Sequence, residues 1–161
     1  MNKFLLAAAT LCVLMIFSSA RYIVPADSRI GYQAPALQVS NDKGSLSLAQ
    51  LRGEYVLVTF WASNQPQSRI DNVRYANVAK QTDAVTYVGV NLDHSDAMLD
   101  QLVTVDGLDA GSQFRIADSE LNHYLRNWRQ NGEFCSFLIG PDGKVVAKNP
   151  TAESVMALAT R

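Results

Sequence analysis

Few side chains in this chain have the type and spacing that catalysis requires. Two histidines, His94 and His123, stand apart from any cysteine pair, so neither belongs to a zinc-binding pattern. No serine lies in a G-x-S-x-G sequence, which would mark a Ser-His-Asp hydrolase. Cys12 and Cys135 are far apart in sequence and form no C-x-x-C redox motif. We expect no metal ion and no cofactor.

One loop has the frame of a reactive site without the reactive atoms. Residues 60–69 read F-W-A-S-N-Q-P-Q-S-R and follow an apolar run that predicts a buried strand over Tyr55–Trp61. Pro66 suits the first turn of a helix, where the N–H group that proline lacks would have no partner. A helix start lowers the pKa of a thiol, but Gln65 and Ser68 carry no sulfur. We expect both to be exposed polar residues that cap the helix; an anion held by the backbone N–H groups is the alternative.

The first residues predict an exported protein. Lys3 precedes an apolar run over residues 4–17, and small residues follow, which together are the three parts of a secretory signal peptide. The run is shorter than the roughly 20 residues of a spanning helix. Bulky Leu11 before Cys12 argues against lipidation. We divide the chain into a signal peptide (1–20), a linker (21–30) and one domain (31–161).

Charge and cysteine content narrow the function classes. The chain has 14 basic and 15 acidic residues, so nothing in its charge favours nucleic acid or an anionic membrane surface as a partner. We expect the domain to lie in the periplasm or cell envelope without inserting into a membrane. Without the signal peptide only Cys135 remains, so the exported domain has no internal disulfide and depends on packing.

The predicted elements follow an α/β order, with a parallel strand pair joined by a crossover helix and an antiparallel hairpin near the end. Ile70, Val73 and Asn77 continue the first helix at helical spacing. In chain order we predict a short strand before the N-D-K-G turn, an apolar stretch (46–51), a buried strand (55–61), a helix (66–81), a buried strand (84–92), a helix capped by Ser95, a short helix (121–125), two strands (134–139, 144–148) around G-P-D-G, and a helix (151–160).

These segments together resemble the extracytoplasmic thioredoxin-fold proteins of the TlpA/ResA type, a thiol-disulfide oxidoreductase family. The resemblance rests on F-W-A-S in the loop, I-G-Y-Q-A-P-A-L and L-R-G-E-Y-V-L-V before it, and V-G-V-N-L-D, V-D-G-L and F-L-I-G-P-D-G-K-V-V-A-K after it. It implies a thioredoxin-like α/β fold, with a central mixed β-sheet flanked by helices and an N-terminal β extension.

The chain departs from this family where the chemistry is carried out. The family's loop typically runs F-W-A-S-W-C-x-P-C-R, so the resemblance places Gln65 and Ser68 at the two cysteine positions. It also places Phe134 at the family's cis-proline, directly before Cys135. We interpret this as loss of the redox site as a unit. The peptide bond before Phe134 is therefore expected to be trans, because a cis bond at a non-proline residue costs about 2.5–4 kcal/mol.

Two function hypotheses follow. The first is non-catalytic, the binding of a protein or extended peptide in the former active-site groove. The alternative is a monothiol redox protein in which Cys135 forms a mixed disulfide. Strand alternation puts Cys135 and Phe137 on one face, and a core location would make the thiol slow to react. The face predicted for binding comprises Trp61, Asn64, Gln65, Pro66, Gln67, Ser68, Arg69 and Phe134.

Two tryptophans are candidate contact residues. Trp61 ends the buried strand, so we expect it to pack in the core beside the loop. Trp128 lies between Arg126 and Arg129 in a polar segment, and we expect it to be partly exposed. This segment is the second candidate contact surface.

Overall fold

The structure, a computed structural model, describes residues 26–160. The predicted signal peptide and the first part of the predicted linker lie outside these residues. Seven strands form one sheet: β1 Gln38–Asn41, β2 Gly44–Ser47, β3 Tyr55–Trp61, β4 Val85–Asn91, β5 Gln113–Arg115, β6 Ser136–Ile139 and β7 Val145–Lys148. Four α-helices accompany them: α1 Pro66–Ala79, α2 Asp96–Val105, α3 Asp118–Asn127 and α4 Ala152–Met156. Short 3-10 turns cover Leu48–Leu51, Ala110–Ser112 and Ala157–Thr160.

The sheet is mixed, with the order β2-β1-β5-β4-β3-β6-β7. β3 and β4 pair in parallel at its centre, with Val58 opposite Val88, because both strands are apolar on both faces. β6 pairs antiparallel with the other edge of β3, and β7 closes the predicted G-P-D-G hairpin. The expected α/β architecture is confirmed, including the N-terminal extension, which is the β1–β2 hairpin.

Helices cover both faces of the sheet. On one face, Tyr75 of α1 and Val155 of α4 pack with Leu57 and Tyr87. On the other, Tyr124 of α3 belongs to the larger core cluster. α2 is capped by Ser95 as predicted, the Ser95 side chain accepting a hydrogen bond from the Met98 N–H group, and it buries Leu99 and Val103 against Trp61. The ends of β3 and β4 and the start of α1 thus rest on a packed interior.

β5 is a strand that the sequence pattern does not predict, and so is β2, where the pattern gives only an apolar stretch over 46–51. β5 is three residues long and shows no alternation, so its sequence carries little strand signal. It exists because it pairs in parallel with β4 and, through Arg115, with Ser40 of β1. Its tertiary neighbours determine its conformation.

The described end of the predicted linker packs against the domain. Ser28 is buried, and the Asp27 N–H group donates to the Gln33 carbonyl. The Asp27 carboxylate pairs with Arg129 at 2.9 Å, which holds the pKa of Asp27 below its usual value. Within residues 26–160, the helices are too short or too polar to cross a membrane.

Candidate functional site

The loop after β3 connects the centre of the sheet to α1. Trp61 at the end of β3 is fully buried, and its indole Nε1 donates to Gln113 Oε1 at 3.1 Å. Its expected core packing is confirmed, and Trp61 is therefore removed from the predicted binding face. Pro66 occupies the first turn of α1, as its lack of an N–H group predicts. Residues 62–65 of the loop lie between Trp61 and Pro66.

Asp93, two residues after the end of β4, anchors the first half of the loop. Its carboxylate accepts hydrogen bonds from the Ser63 N–H at 3.0 Å and the Ser63 hydroxyl at 2.9 Å. It also accepts one from Asn91 Nδ2 at 2.9 Å. Hydrogen bonds to an ionised acceptor are stronger than those between neutral groups. The carboxyl ends of two neighbouring parallel strands thereby hold the loop in one conformation.

Ser68 is buried, with 4% of its surface exposed, so the prediction of an exposed helix-capping residue is wrong. Its hydroxyl donates to the Gln65 carbonyl at 2.8 Å and accepts from the Ala62 N–H at 3.2 Å. Side chains on a helix tilt toward its N-terminus, so a residue in the first turn points back over the preceding loop. Ser68 supports the loop from inside and is not available to a partner.

Gln65 has a different role from the predicted helix cap. It occupies the N-cap position of α1, yet its side chain makes no capping hydrogen bond. Its Nε2 donates to the Gly132 carbonyl at 2.7 Å, and its Oε1 accepts from the Phe134 N–H at 3.3 Å. The side-chain amide therefore joins the loop to the segment that precedes β6. Sequence patterns could not reveal this contact, which spans 67 residues.

Cys135 lies in the interior, 8% exposed, and belongs to the same core cluster as Phe137. The predicted core location of Cys135 is thus confirmed, although Cys135 precedes β6 and Phe134, predicted for the opposite face, packs against the same cluster. The Cys135 N–H donates to Gln130 Oε1 at 2.7 Å, and its sulfur contacts the Glu133 carbonyl at 3.6 Å. Phe134 packs partly buried against the same cluster. Residues 26–160 contain no cis peptide bond, so the bond before Phe134 is trans as expected.

Chemically, the described part of this face offers hydrogen bonding and apolar contact. Among residues 26–160, Cys135 is the free cysteine, and no group of three or more His, Cys, Asp or Glu side chains could hold a metal ion. Asn64, Pro66 and Gln67 are exposed, while Arg69 is partly exposed. Gln65 and Phe134 are partly exposed as well, so Trp61 and Ser68 are the members of the predicted binding face that solvent does not reach.

An apolar groove lies beside the loop. Its volume is about 550 Å³, and Ile70 within it is 59% exposed. Arg69 at its edge is held by Asp106, with Nη2 2.6 Å from Oδ1, and this contact raises the pKa of Arg69. The groove is lined by Ser63, Pro66, Arg69, Ile70, Val73, Arg74 and Asp106.

Helical spacing alone did not reveal this groove. Ile70 and Val73 share an α1 stripe with exposed Asn77, whereas the buried face contains Asn72 and Tyr75. The polar residue Asn77 is the sequence feature that indicates that this stripe faces away from the core.

The second predicted contact surface is not supported, because Trp128 is fully buried. Trp128 follows the last turn of α3, where its N–H bonds to the Tyr124 carbonyl. Its ring packs against Phe60 and Phe137, with centroids 5.3 and 5.2 Å apart. Polar neighbours in sequence predicted exposure, but position four residues after Tyr124 places Trp128 on the core face.

Comparison with known proteins identifies the fold. No protein-family model and no curated protein sequence matches the chain. Among solved structures, it is similar to a thioredoxin-like protein from Parabacteroides distasonis, with a TM-score of 0.72 and 24% identity over 84% of this chain and 98% of that one. It is also similar to the thioredoxin domain of a thiol-disulfide oxidoreductase from Bacteroides vulgatus, with a TM-score of 0.71 and 25% identity over 80% and 94%.

A third similar structure is a thiol:disulfide interchange protein from a Bacteroides species, with a TM-score of 0.72 and 23% identity over 86% of this chain and 93% of that one. The fold implied by the TlpA/ResA resemblance is therefore confirmed. The chain has the thioredoxin-like fold that these three proteins share.

Proposed function

We propose that this chain is an exported, redox-inactive thioredoxin-fold protein that binds a protein or extended peptide through its former active-site face. One observation carries the proposal: Gln65 and Ser68, at the two positions where the family has cysteines, are hydrogen-bonded to the chain's own backbone. Disulfide exchange requires a thiolate that attacks a sulfur atom and a second thiol that resolves the mixed disulfide. These two side chains supply neither.

The monothiol alternative depends on access to Cys135. A partner disulfide must reach the sulfur directly for a mixed disulfide to form, and this sulfur sits in a side chain that is 8% exposed. Its packing beside Phe134 and Phe137 resembles that of an inert core cysteine. The burial favours the binding hypothesis over the monothiol one.

The apolar groove supports a partner with an aliphatic side chain on an extended segment. Ile70 offers apolar surface, and full burial of such a side chain contributes about 1.5–3 kcal/mol. The charges at the edge are already paired, Arg69 with Asp106 and Arg74 with Asp71. A charged partner would have to compete with these ion pairs, so an uncharged aliphatic contact fits the groove better.

A turnover assay tests the redox part of the proposal. Reduced protein of residues 21–161, which contains Cys135 alone, and its Cys135→Ser variant are given an insulin-like disulfide substrate with a thiol reductant. Both should show the rate of the reductant alone, because neither protein has a pair of sulfurs to cycle. Turnover by Cys135→Ser would contradict the proposal, and turnover by the native protein alone would favour the monothiol mechanism.

Capture from the cell envelope tests the binding part. Residues 21–161 serve as bait, beside an Ile70→Ser variant and a matched Val146→Ser control. Val146 is 46% exposed on β7, at the edge of the sheet beyond β6. A partner that is retained by native protein and Val146→Ser but lost by Ile70→Ser supports the proposal. Equal capture by all three proteins would place the binding surface elsewhere.

A further inference from the structure

Arg129, two residues after the end of α3, has a left-handed backbone conformation with φ 52°. The Arg129 N–H donates to the Arg126 carbonyl at 3.2 Å. The Gln130 N–H donates to the Leu125 carbonyl at 2.8 Å. This pair of hydrogen bonds is the Schellman motif, in which glycine usually occupies the left-handed position. A residue with a Cβ atom is strained there, so a further contact is needed to hold Arg129 in this conformation.

Asp27 supplies that contact from the N-terminal side of the domain. Arg129 Nε and Nη2 lie 3.1 and 2.9 Å from the two carboxylate oxygens of Asp27, which makes the pair bidentate. The Asp27 side chain is 12% exposed, and Arg29 donates to the same carboxylate from its N–H and its Nε. The Gly31 N–H donates to the Val145 carbonyl, which ties the segment that carries Asp27 to β7. The carboxylate is therefore positioned independently of α3.

Gln130, the next residue, connects this turn to the proposed binding face. Its side chain is buried, and its Nε2 donates to the Trp128 carbonyl at 3.0 Å. Its Oε1 accepts from the Cys135 N–H at 2.7 Å. One residue earlier, the Phe134 N–H donates to Gln65 Oε1 at 3.3 Å. A change in the backbone of the turn would redirect the Gln130 side chain and, with it, the segment on which the Gln65 amide rests.

We propose that Asp27 is a positioning residue of the binding face, which acts by holding Arg129 in its left-handed conformation. This inference rests on the proposed function and specifies what sets the shape of the face on the Phe134 side of Gln65. The ion pair offsets the backbone strain at Arg129, so its role ends where that strain is absent. Glycine adopts the left-handed conformation without strain, and Arg129→Gly should therefore make the Asp27 contact unnecessary.

The test compares two variants that both lose the ion pair, Arg129→Gly and Arg129→Ala, in the protein of residues 21–161. They differ in how well residue 129 tolerates a positive φ. Asp27→Asn is measured beside Asp109→Asn, the same change at an exposed, ion-paired carboxylate elsewhere. NMR follows hydrogen exchange of the Cys135 amide, which is bonded to the Gln130 side chain. Its rate is divided by that of the Val58 amide at the centre of the sheet, which separates a local change from a change in global stability.

This ratio should rise about tenfold above the native value in Asp27→Asn and in Arg129→Ala, because the left-handed conformation is no longer held. The side-chain amide signals of Gln65 should shift in the same two variants. Arg129→Gly and Asp109→Asn should stay within about threefold of native protein. Equal ratios in Arg129→Gly and Arg129→Ala would overturn the proposal, as would a native ratio in Asp27→Asn. These measurements need no partner, so the envelope capture with Ile70→Ser decides the proposed function separately.

Discussion

The loop and the groove beside it differ in what their side chains contact. In the loop, Ser63, Gln65 and Ser68 direct their polar groups to partners within the protein. In the groove, two residues further along, Ile70 presents apolar surface to solvent. The polar side chains of the loop are hydrogen-bonded within the protein, whereas the apolar side chain of Ile70 in the groove is exposed to solvent.

This difference separates two parts of the proposed binding face. Gln65 and Ser68 are hydrogen-bonded to the chain's own backbone, and the buried hydroxyl of Ser68 requires such a partner. In the groove, Ile70 leaves apolar surface that is free for contact. The proposed absence of redox chemistry and the proposed binding role are therefore physically compatible on one helix end.

The largest effect is expected in the reaction rate of the Cys135 thiol, which reports how rarely the interior opens to solvent. The thiol of native protein should react with a labelling reagent about a hundredfold or more slowly than in denaturant, because reaction requires an opening of the structure. The experiment uses residues 21–161, in which Cys135 is the one cysteine, so the labelling has a single source. Similar rates in both states would place the sulfur at the surface.

Removal of the Asp93 anchor should be the most destabilising change in the loop. Asp93→Ala leaves the partly buried Ser63 N–H and the Asn91 amide without an acceptor, at a cost of about 3 kcal/mol in the free energy of unfolding. The control is Asp96→Ala, an exposed carboxylate paired with Arg115, which should change stability by less than about 1 kcal/mol. Urea denaturation measures both, and equal midpoints would show that the loop does not need its anchor.

A smaller loss is expected when the inner support of the loop is removed. Ser68→Ala deprives the buried Ala62 N–H of its acceptor and should cost about 1–2 kcal/mol. Gln67→Ala, one residue away and exposed, should stay within about half a kcal/mol. If the thermal midpoints of the two variants coincide, the hydroxyl of Ser68 has no structural role. By the same argument, replacing Gln65 and Ser68 by cysteine would remove their hydrogen bonds and destabilise the loop.

The groove should show the smallest change in stability. Ile70→Ser removes an exposed apolar side chain and should alter the free energy of unfolding by less than about half a kcal/mol. Calorimetry of the native and variant proteins measures this difference. A loss of several kcal/mol would show that Ile70 supports the fold, and the groove would then be part of the core packing.

The fold was largely predictable because its central strands carry strong local signals. Continuous apolar runs mark β3 and β4, and G-P-D-G marks the β6–β7 hairpin. β5 escaped prediction because its three residues become a strand only through pairing with β4 and β1. Local sequence therefore predicts the strands and turns whose own residues carry a recognisable pattern, and it misses those that depend on pairing with distant segments.

The site was predictable in its location and not in its contacts. The positions of Gln65 and Ser68 in the loop were read from the sequence, but their burial and partners depend on residues that folding brings near. Trp128 shows the same limit, because its polar sequence neighbours predicted exposure while Phe60 and Phe137 bury it. Hydrogen bonds and packing between distant segments carry no local sequence pattern.

The order of strands in the sheet also constrains when the protein can fold. β3 lies between β4 and β6, and Thr59 of β3 meets Ser136 of β6 across 77 residues of chain. The β1–β2 hairpin appears first during synthesis, yet it joins the sheet through β5, which appears much later. A chain that emerges N-terminus first therefore exposes the apolar edges of β3 and β4 until its last third has followed. Such long-range pairing slows folding and extends the period in which an unpaired strand can aggregate.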